Sequence, residues 1–436
     1  MSEVSQPLRI GVAGIGTVGA SVVRILGERC ERLSLRTGRA MLVTDVSARN
    51  RSRDRGVDLS GMSWNDDAVS LARDGDIDVF VELIGGEDGP AKAAVEAALN
   101  RGVPVVTANK ALLAAHGLAL AELAEHNDTA LLFEAAVAGG IPAIKTLREA
   151  MRANAVDQVF GVLNGTCNYI LTRMEREGLG FEDVLREAQA LGYAEADPTF
   201  DVGGFDTAHK LTILASLAFG VRPAGHRVEC EGIEHITAAD ISAARELGYR
   251  IKLLGIARRT DDGMTERVHP TMVSLDSPIA NVSGVTNAVA MRGDAVGDIF
   301  LSGPGAGGDA TASAVVADLC HIAIGAGGPT FGLPIGELSE PEPAARTVHI
   351  GAFYVRMLVQ DRVGVFASVS RHMADEGVSL SSITQRDAGG DRGDAKSIIL
   401  ITHDVDAASV RRAVAAIEGD GHTIDRTTVI PIEPDL

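Results

Sequence analysis

The sequence contains little cysteine, and its arrangement suggests neither a covalent nor a metal-bound framework. The four cysteines, at positions 30, 167, 230 and 320, lie far apart, without any Cys-x-x-Cys pair or clustered histidines. Disulfide scaffolds, redox dithiols and zinc knuckles need closely spaced ligands. The pattern therefore argues against all three and predicts free thiols in a reducing compartment.

The chain also lacks an apolar run long enough to cross a bilayer, and its first residues do not form a secretion signal. Positive charge is in deficit, because 40 Lys and Arg face 59 Asp and Glu, for a formal net charge of -19. Such a surface repels nucleic acid and anionic lipid. We expect a cytoplasmic protein that binds no nucleic acid and no membrane, and that holds any phosphate by a local arrangement.

Aromatic residues make up only 4% of the chain, with a single tryptophan, whereas glycine is abundant at 49 residues. This mixture is more typical of α/β folds with short turns than of β-sandwiches. A chain of 436 residues is too long for one ordinary core. The composition therefore predicts an α/β protein of two or three domains.

Hydrophobic periodicity divides the chain into three folded parts. Residues 1–138 alternate short apolar runs with helical patterns, which predicts a parallel sheet covered by helices. Longer helices separated by Gly, Asn and Asp follow in residues 139–330 and predict an α+β domain. Residues 331–347 have the Gly- and Pro-rich composition of a linker, and residues 348–436 show the βαββαβ order of a ferredoxin-like unit.

The segment GIGTVG at residues 14–19 follows a predicted strand and opens a predicted helix near Thr17. Gly14 permits a tight turn, Gly16 lets backbone amides approach a pyrophosphate, and Gly19 lets the helix pack on the strand. We therefore predict a Rossmann-type dinucleotide site. The alternative is a glycine-rich turn that binds nothing.

The end of the second predicted strand bears on the choice of nucleotide. Arg49 or Arg51 could pair with a 2′-phosphate, which favours NADP, whereas Asp45 lies close enough to the strand end to keep NAD as an alternative. These arginines could equally form a solvated turn.

Two lysines are candidates for proton transfer. Lys110 follows a strand directly, at the edge where open α/β sheets bind ligands. Asp206 and Lys210 are four residues apart and share a helix face, although such a pair is often only a surface ion bridge. Hydride transfer between an alcohol and a nicotinamide needs a group that exchanges the hydroxyl proton, and burial adapts a lysine to this by lowering its pKa. Glu195 and Asp201 could hold a substrate ammonium together with Asp206.

Seven segments together resemble the homoserine dehydrogenase family with a C-terminal ACT domain. They are GIGTVG, TANK, FEAAVAGGIP, NGTCNYI, YAEADP, DVGGFDTAHK and GPGAGGDATASAV, in the order of that family and across essentially the whole chain. The resemblance implies reversible reduction of L-aspartate 4-semialdehyde to L-homoserine with NAD(P)H in threonine, methionine and isoleucine biosynthesis. It also implies a Rossmann domain, a catalytic and dimerisation domain and an ACT domain, assembled as a homodimer or homotetramer.

The resemblance also implies roles for individual residues. Lys210 matches the proton donor and acceptor, and Asp206 and Lys110 complete the catalytic set. Glu195, Asp201, Gly165 and Thr166 match the substrate pocket. Cofactor contacts are expected at Gly14, Gly16, Thr17, Val18, Gly19, Thr107, Lys110 and Gly305, to which the strand-end argument adds Arg49. A monovalent cation such as sodium is expected at Glu134, Val137, Gly139 and Ile141, where the alternative is a plain glycine-rich hinge.

In this family the ACT domain is associated with feedback inhibition by threonine, and residues 361–365 look like its strand-to-helix turn. Free backbone amides at that turn could bind a carboxylate. The alternative is a module that only builds the oligomer. We expect truncation after about residue 340 to leave an active core. Two further alternatives are a non-catalytic nucleotide and amino-acid sensor, and another NAD(P)-dependent amino-acid dehydrogenase.

Overall fold

The first part of the chain alternates strands and helices, as its periodicity predicts. The computed structural model describes residues 6–261, 263–342, 350–387 and 395–436. Its first elements are β1 (Leu8–Ala13), α1 (Thr17–Glu28), α2 (Cys30–Thr37), β2 (Met41–Ser47), β3 (Ser63–Asn65), α3 (Ala68–Asp74), β4 (Val79–Glu82), α4 (Pro90–Asn100), β5 (Val105–Thr107), α5 (Lys110–His126) and β6 (Leu131–Leu132).

These six strands form one parallel sheet of order β3-β2-β1-β4-β5-β6. Strand β4 is buried along its whole length, because helices cover both faces of a parallel sheet. The strand order reverses between β1 and β4, and the carboxyl ends at such a point bind ligands in open α/β folds. The predicted Rossmann-type sheet is confirmed.

The second part is built around an antiparallel sheet. Its elements are α6 (Ala143–Lys145), β7 (Val156–Val162), α7 (Gly165–Glu177), α8 (Phe181–Ala190), α9 (Thr199–Val202), α10 (Phe205–Phe219), β8 (Glu229–Cys230), α11 (Ala238–Glu246), β9 (Tyr249–Thr260), β10 (Gly263–Ser274), β11 (Thr286–Gly293), β12 (Gly297–Pro304) and α12 (Gly308–Ala323). The main strands run in the order β12-β11-β7-β9-β10.

Helices α7 and α10 cover this sheet, and α12 returns to pack on α1 of the nucleotide domain. Asp309 at the start of α12 bonds to Ser21 (2.8 Å) and Arg24 (2.5 Å) on α1. The two domains therefore meet beside the glycine-rich loop that precedes α1.

The segment predicted as a linker is packed in its described portion. Phe331 is fully buried, with its ring centroid 5.6 Å from that of Phe133. The Ile335 N–H donates to both carboxylate oxygens of Glu125 at 3.1 Å, and Leu338 is also buried. Composition pointed to a linker because Gly and Pro are frequent, but three apolar residues anchor the chain here. Residues 343–347 of that prediction, and residues 348 and 349 of the predicted tail domain, lie outside the described part.

The tail forms the predicted βαββαβ unit. It consists of β13 (Ile350–Gln360), α13 (Val365–Asp375), β14 (Leu380–Asp387), β15 (Ala395–Thr402), a short β16 (Val405–Asp406), α14 (Ala407–Gly419) and β17 (Thr428–Glu433). The strand order is β17-β13-β15-β14, and apolar side chains of both helices pack with those of the strands in one core. Strand β17 also pairs with β10, so that the tail sheet continues the sheet of the second domain.

All four cysteines are free thiols, as their spacing predicted. None of the helices in the described ranges combines the length and apolarity needed to cross a bilayer. The cytoplasmic location stays a prediction.

Candidate active site

The loop at residues 14–19 joins β1 to α1 and is shaped by its glycines. Gly14 has φ +99°, and a Cβ there would lie 2.4 Å from the carbonyl oxygen of Leu83. A Cβ on Gly19 would lie 2.1 Å from the carbonyl oxygen of Gly14. At Gly16, by contrast, no described atom lies within 4 Å of the Cβ position. Space is therefore left where a dinucleotide phosphate would meet the helix N-terminus, at Thr17 and Val18.

Arg49 lies just beyond β2 and is exposed. Its guanidinium forms no hydrogen bond or ion pair with any residue that the structure describes. Asp45, the acidic alternative, lies within β2 and accepts a hydrogen bond from Asn65 Nδ2 at 3.2 Å. Among the described residues, Arg49 is thus a cation without a partner at this strand end, whereas the Asp45 carboxylate has one.

Arg55 is a residue that the sequence interpretation missed. Its Nε donates to the carbonyl oxygen of Ile15 inside the glycine-rich loop, at 3.0 Å. Its guanidinium carbon lies 5.3 Å from the centre of the Trp64 ring, and that of Arg51 lies 5.8 Å away. The available signal was the run of arginines after β2, because alternate residues from 49 to 55 are all arginine.

Thr107 lies at the end of β5 and is held in a buried network. Its hydroxyl donates to Glu82 Oε2 at 2.6 Å and accepts the N–H of Asn109 at 3.0 Å. The other oxygen of the fully buried Glu82 accepts the N–H groups of Ile84 (2.7 Å) and Gly85 (3.0 Å). The Thr107 side chain therefore shapes the loops at the carboxyl edge of the sheet. Glu82 was not predicted, because a lone acidic residue after an apolar strand carries no specific motif.

Lys110, Asp206 and Lys210 meet in one cluster between the two domains. Lys210 Nζ lies 2.7 Å from Asp206 Oδ2, and Lys110 Nζ lies 3.1 Å from Asp206 Oδ1. Lys210 Nζ also donates to the carbonyl oxygen of Leu163 at 2.7 Å. The side chains of Asp206 and Lys210 are 5% and 11% exposed, against 35% for Lys110. One buried carboxylate thus holds a lysine from each domain.

Asn164 extends this cluster and was included from the sequence only within the NGTCNYI segment, without a role of its own. Its Nδ2 donates to Asp206 Oδ2 at 2.9 Å and to Asp201 Oδ1 at 2.8 Å. Its Oδ1 accepts the N–H of Cys167 at 2.8 Å and so caps helix α7. An asparagine directly before a predicted helix was the available signal. The amide fixes the two carboxylates relative to each other.

The two carboxyl groups differ in their protonation tendency. Burial raises the pKa of Asp201, and the nearby negative charge of Asp206 raises it further. Burial also opposes ionisation of Asp206, but the charges of Lys210 and Lys110 outweigh it and hold the pKa of that carboxyl well below its usual range. Asp206 therefore favours its ionised form, whose charge can orient both lysines.

The structure brings most of the predicted substrate residues together. Thr166 Oγ1 donates to the carbonyl oxygen of Tyr193 at 2.7 Å and lies 3.5 Å from Asp201 Oδ2. Gly165 begins α7 beside them. Glu195 is exposed, and its carboxylate forms no hydrogen bond or ion pair within the described ranges. Asp201, Gly165 and Thr166 thus lie together, whereas the Glu195 carboxylate has no hydrogen bond or ion pair to them in the described part of the chain.

The loop predicted to bind a cation turns sharply after Val137. Ala138 and Gly139 have φ values of +56° and +54°. Of the described residues, none donates a hydrogen bond to the carbonyl oxygens of Val137 or Gly139, whereas Ile141 O accepts from Ala143 N at 2.8 Å. In the same ranges no group of three or more His, Cys, Asp or Glu side chains is placed to hold a metal ion. Any cation here would depend on the backbone carbonyls.

Glu134 is buried next to this loop. Its two carboxylate oxygens accept the N–H groups of Ile144 (3.0 Å) and Lys145 (2.8 Å), and its own N–H donates to Asp318 at 2.8 Å. Burial, with a further contribution from the charge of Asp318, raises the pKa of Glu134 to about 7. The carboxyl group holds the start of α6 against the turn at residues 137–141, here called the cation loop.

Gly305 connects the cation loop with the lysine cluster. A Cβ on Gly139 would lie 2.4 Å from the carbonyl oxygen of Gly305. A Cβ on Gly305 would in turn lie 2.0 Å from the side chain of Asn287, whose Nδ2 donates to Leu163 O at 2.8 Å. A Cβ on Gly308, farther along the same loop, would lie 3.0 Å from Thr17 Cγ2. The loop therefore lies beside Thr17 of the proposed cofactor cradle, and the cofactor contact of Gly305 stays a prediction.

Three sequence families match consecutive parts of the chain. Residues 14–134 match the family described as homoserine dehydrogenase, NAD binding domain, and residues 142–320 match the family described as homoserine dehydrogenase. Residues 353–421 match the ACT domain family.

Similar proteins cover nearly the full length. A homoserine dehydrogenase of Pseudomonas aeruginosa is 43% identical over 419 residues, which cover 95% of this chain and 96% of that protein. The crystal structure of a homoserine dehydrogenase from Thiobacillus denitrificans superposes with a TM-score of 0.91 at 40% identity and covers 98% of both chains. A hyperthermophilic archaeal homoserine dehydrogenase in complex with NADPH superposes with a TM-score of 0.64 at 26% identity, covering 74% of this chain and 99% of that one.

Proposed function

The chain belongs to the homoserine dehydrogenase family, and we propose that it interconverts L-homoserine and L-aspartate 4-semialdehyde in both directions, with NADP(H) as its preferred cofactor. It is an oxidoreductase that acts on a CH–OH group. The observation that supports the chemistry best is the pair of lysines bridged by the buried Asp206. A non-catalytic sensor would have no use for such a pair.

Lys210 is the proposed proton donor and acceptor. Two of the three donors on its ammonium group are directed to Asp206 and Leu163 O, which leaves one for the oxygen of a substrate. In the direction of reduction Lys210 gives a proton to the carbonyl oxygen, and in oxidation it takes the proton of the hydroxyl. A nicotinamide dinucleotide held by its phosphates at the 14–19 loop would supply or accept the hydride.

Lys110 and Asp206 position this lysine. Lys110, the first residue of α5, reaches Asp206, so this contact joins the carboxyl edge of the nucleotide-binding sheet to the substrate pocket. Asp201 lies beside Thr166 and is the proposed partner of the substrate ammonium. The exposed Glu195 fits this role only if its loop moves inward.

The preference for NADP(H) rests on charge. Arg49 lies beyond β2 and has no ion-pair partner among the described residues, and Arg55 is already anchored on Ile15. An arginine fork suits a 2′-phosphate. The hyperthermophilic archaeal homoserine dehydrogenase was solved with NADPH, in agreement with this proposal. A monovalent cation such as sodium is proposed at the Val137 and Gly139 carbonyls, which lack protein donors among the described residues.

We further propose that threonine inhibits the enzyme through the ACT domain, that the enzyme serves threonine, methionine and isoleucine biosynthesis, and that it assembles as a homodimer or homotetramer. The match to an ACT domain supports an amino-acid effector, because small modules of this type bind metabolites.

The test is a steady-state assay of the purified full chain. Homoserine oxidation should reduce NADP⁺ and to a smaller extent NAD⁺, and L-aspartate 4-semialdehyde should be reduced in the reverse assay. Threonine and malate should give no comparable turnover. Cofactor binding without turnover on any alcohol would revive the sensor, and faster turnover of another amino-acid alcohol would identify a different dehydrogenase.

A further inference from the structure

A cleft of about 720 Å³ lies between the second domain and the ACT domain. Its walls come from β8 and residues 231–235 on one side, from β10 at its base, and from α14 and β17 on the other. Its volume falls within the range of about 300–1,000 Å³ that is usual for small-molecule sites. None of the residues assigned above to substrate, cofactor or cation lines it.

We propose that this cleft binds a free α-amino acid and is the site through which the ACT domain communicates with the active site. The proposal deepens the threonine regulation proposed above and rests on it for the identity of the amino acid.

The charges at the cleft suit a zwitterion. Arg411 and Arg426 lie at its mouth and are more than two-thirds exposed, opposite Glu229 (3.9 Å) and Glu231 (3.1 Å). Glu234 also lines the cleft and forms no ion pair within 4 Å in the described part of the chain. Cations from the ACT domain thus face carboxylates from the second domain. An amino acid can offer its carboxylate to the arginines and its ammonium to the glutamates.

The inner wall contains two polar atoms that have no hydrogen-bond partner among the described residues. Arg267 Nε and Thr427 Oγ1 are both buried, and neither forms a hydrogen bond with a described atom. Arg267 is only 12% exposed, and its guanidinium forms a long ion pair from Nη2 to Glu433 Oε1 at 4.0 Å, which leaves Nε without a hydrogen-bond partner among the described atoms. Buried polar groups usually have a partner in a native structure. A polar ligand in the cleft could supply the missing hydrogen-bond partner.

The second-domain side of the cleft contacts the segment between Asp201 and Asp206. Ile233 N donates to Val202 O at 3.0 Å, and a Cβ on Gly232 would lie 2.2 Å from that oxygen. At the base of the cleft, Val268 Cγ1 lies 2.9 Å from the Cβ position of Gly204, which has φ +88°. Val202 and Gly204 lie between Asp201 and Asp206 in the chain. A shift of Gly232, Ile233 or Val268 would therefore press on the segment that carries both active-site carboxylates.

Binding can be measured on the full chain by isothermal titration calorimetry with L-threonine and the other proteinogenic amino acids. Arg411→Glu reverses a charge at the mouth, and Ala415→Trp fills the cleft from the exposed side of α14. Each should weaken binding by about ten- to a hundredfold, the size of a lost charge-assisted contact. Arg412→Glu is the matched control, because Arg412 is adjacent on α14 but pairs with Glu376 instead of lining the cleft.

The coupling between the cleft and the active site can be tested because it must be reciprocal. A saturating amino acid should weaken the binding of homoserine by about 5- to 150-fold, and homoserine should weaken the binding of that amino acid by the same factor. Hydrogen exchange of residues 199–206 should change when the amino acid binds to the free enzyme.

The outcomes separate the cleft from threonine regulation. If an amino acid other than threonine binds and the cleft variants abolish its binding, the proposed cleft site is supported and the proposed regulation by threonine is contradicted. If threonine inhibits and the cleft variants leave its affinity unchanged, the cleft is overturned while regulation stands. Val363→Glu, in the exposed turn at residues 361–365, would then identify the alternative site by abolishing inhibition. If no amino acid binds, the proposal is overturned.

Discussion

The carboxylate of Asp240 on α11 and the guanidinium of Arg356 on β13 form two hydrogen bonds between the second domain and the ACT domain. Nε lies 2.5 Å from Oδ1, and Nη2 lies 2.9 Å from Oδ2. Asp240 is fully buried and also accepts the hydroxyl of Tyr354 at 3.1 Å. Together with the pairing of β10 and β17, this contact makes the ACT domain part of one continuous sheet.

Arg356→Met should therefore destabilise the protein strongly. Removal of one partner leaves a buried charge without compensation, which costs about 3–5 kcal/mol of unfolding free energy. The control is Arg386→Met, because Arg386 joins the same two domains through Glu246 at 2.6 Å but both side chains are about half exposed. An exposed pair contributes roughly 0–1 kcal/mol. Urea unfolding of both variants measures the difference, and equal losses would contradict the assigned role of burial.

Lys210→Ala should lower kcat by roughly two to four orders of magnitude while cofactor binding stays nearly intact, as expected when a positioned acid/base is removed. Asp206→Asn should lower turnover as well, because both lysines lose the charge that orients them. The control is Lys92→Ala, because Lys92 lies on α4 and pairs with Asp88. Weaker cofactor binding with a normal kcat would reject proton transfer by Lys210.

The local parts of this site could be predicted from the sequence. The three glycines of the 14–19 loop act within one turn, and Asp206 and Lys210 are one helical turn apart, so spacing alone determines their geometry. The contact of Lys110 with Asp206 joins two domains, and only the resemblance to a family placed both residues in one site.

Other features depend on tertiary packing that has no local pattern. The bridge from Asn164 to both carboxylates and the anchoring of Arg55 on Ile15 each join segments that are distant in sequence. The pairing of β17 with β10 likewise joins segments that are distant in sequence. Composition predicted a linker at residues 331–342, where the chain is packed, because composition carries no information on whether a single apolar side chain such as Phe331 is buried.

Arg49→Glu should raise the KM for NADP⁺ more than that for NAD⁺. Loss of a charge-assisted phosphate contact weakens binding by about 1.5–3 kcal/mol, and the reversed charge adds repulsion. Arg53→Glu is a control in the same exposed segment. The ratio of kcat/KM for the two cofactors is the measurement. Equal effects on both cofactors would mean that Arg49 does not contact the 2′-phosphate, and Arg55→Glu would be the next variant.

Stability should depend on the protonation of Glu266 on β10. Burial raises its pKa from 4.5 to about 7. Between these pH values the folded protein keeps a proton that the unfolded chain releases, so the contribution of this group to stability falls as pH rises. The expected loss is about 2–3 kcal/mol from pH 4.5 to pH 7.

Glu266→Gln should flatten this part of the stability profile, and Glu122→Gln, at an exposed position on α5, should leave it unchanged. Urea unfolding at intervals across that pH range gives the slopes. A wild-type slope that Glu266→Gln does not alter would assign the dependence to other groups.

Truncation after residue 342 tests both the regulatory role of the ACT domain and its structural attachment. The lysine cluster lies wholly outside the removed part, so turnover and the KM for homoserine should survive. Threonine should inhibit the full chain and have no effect on the truncated one. Identical responses of the two proteins would place the effector site in the core and leave the ACT domain with a role in assembly.

The truncated protein should nevertheless be less stable, because it loses the pairing of β17 with β10 and the bond of Arg356 to Asp240. Asp240→Asn distinguishes a native core from a damaged one. In the full chain this change should cost about 3–5 kcal/mol, because the buried Arg356 loses its counter-charge. In a truncated core that folds natively, water solvates the carboxylate, so the same change should cost less than about 1 kcal/mol. Urea midpoints of the full and truncated proteins, each with and without Asp240→Asn, give the two costs. Equal costs would show that Asp240 acts within its own domain, through the cap of α11, and not through Arg356.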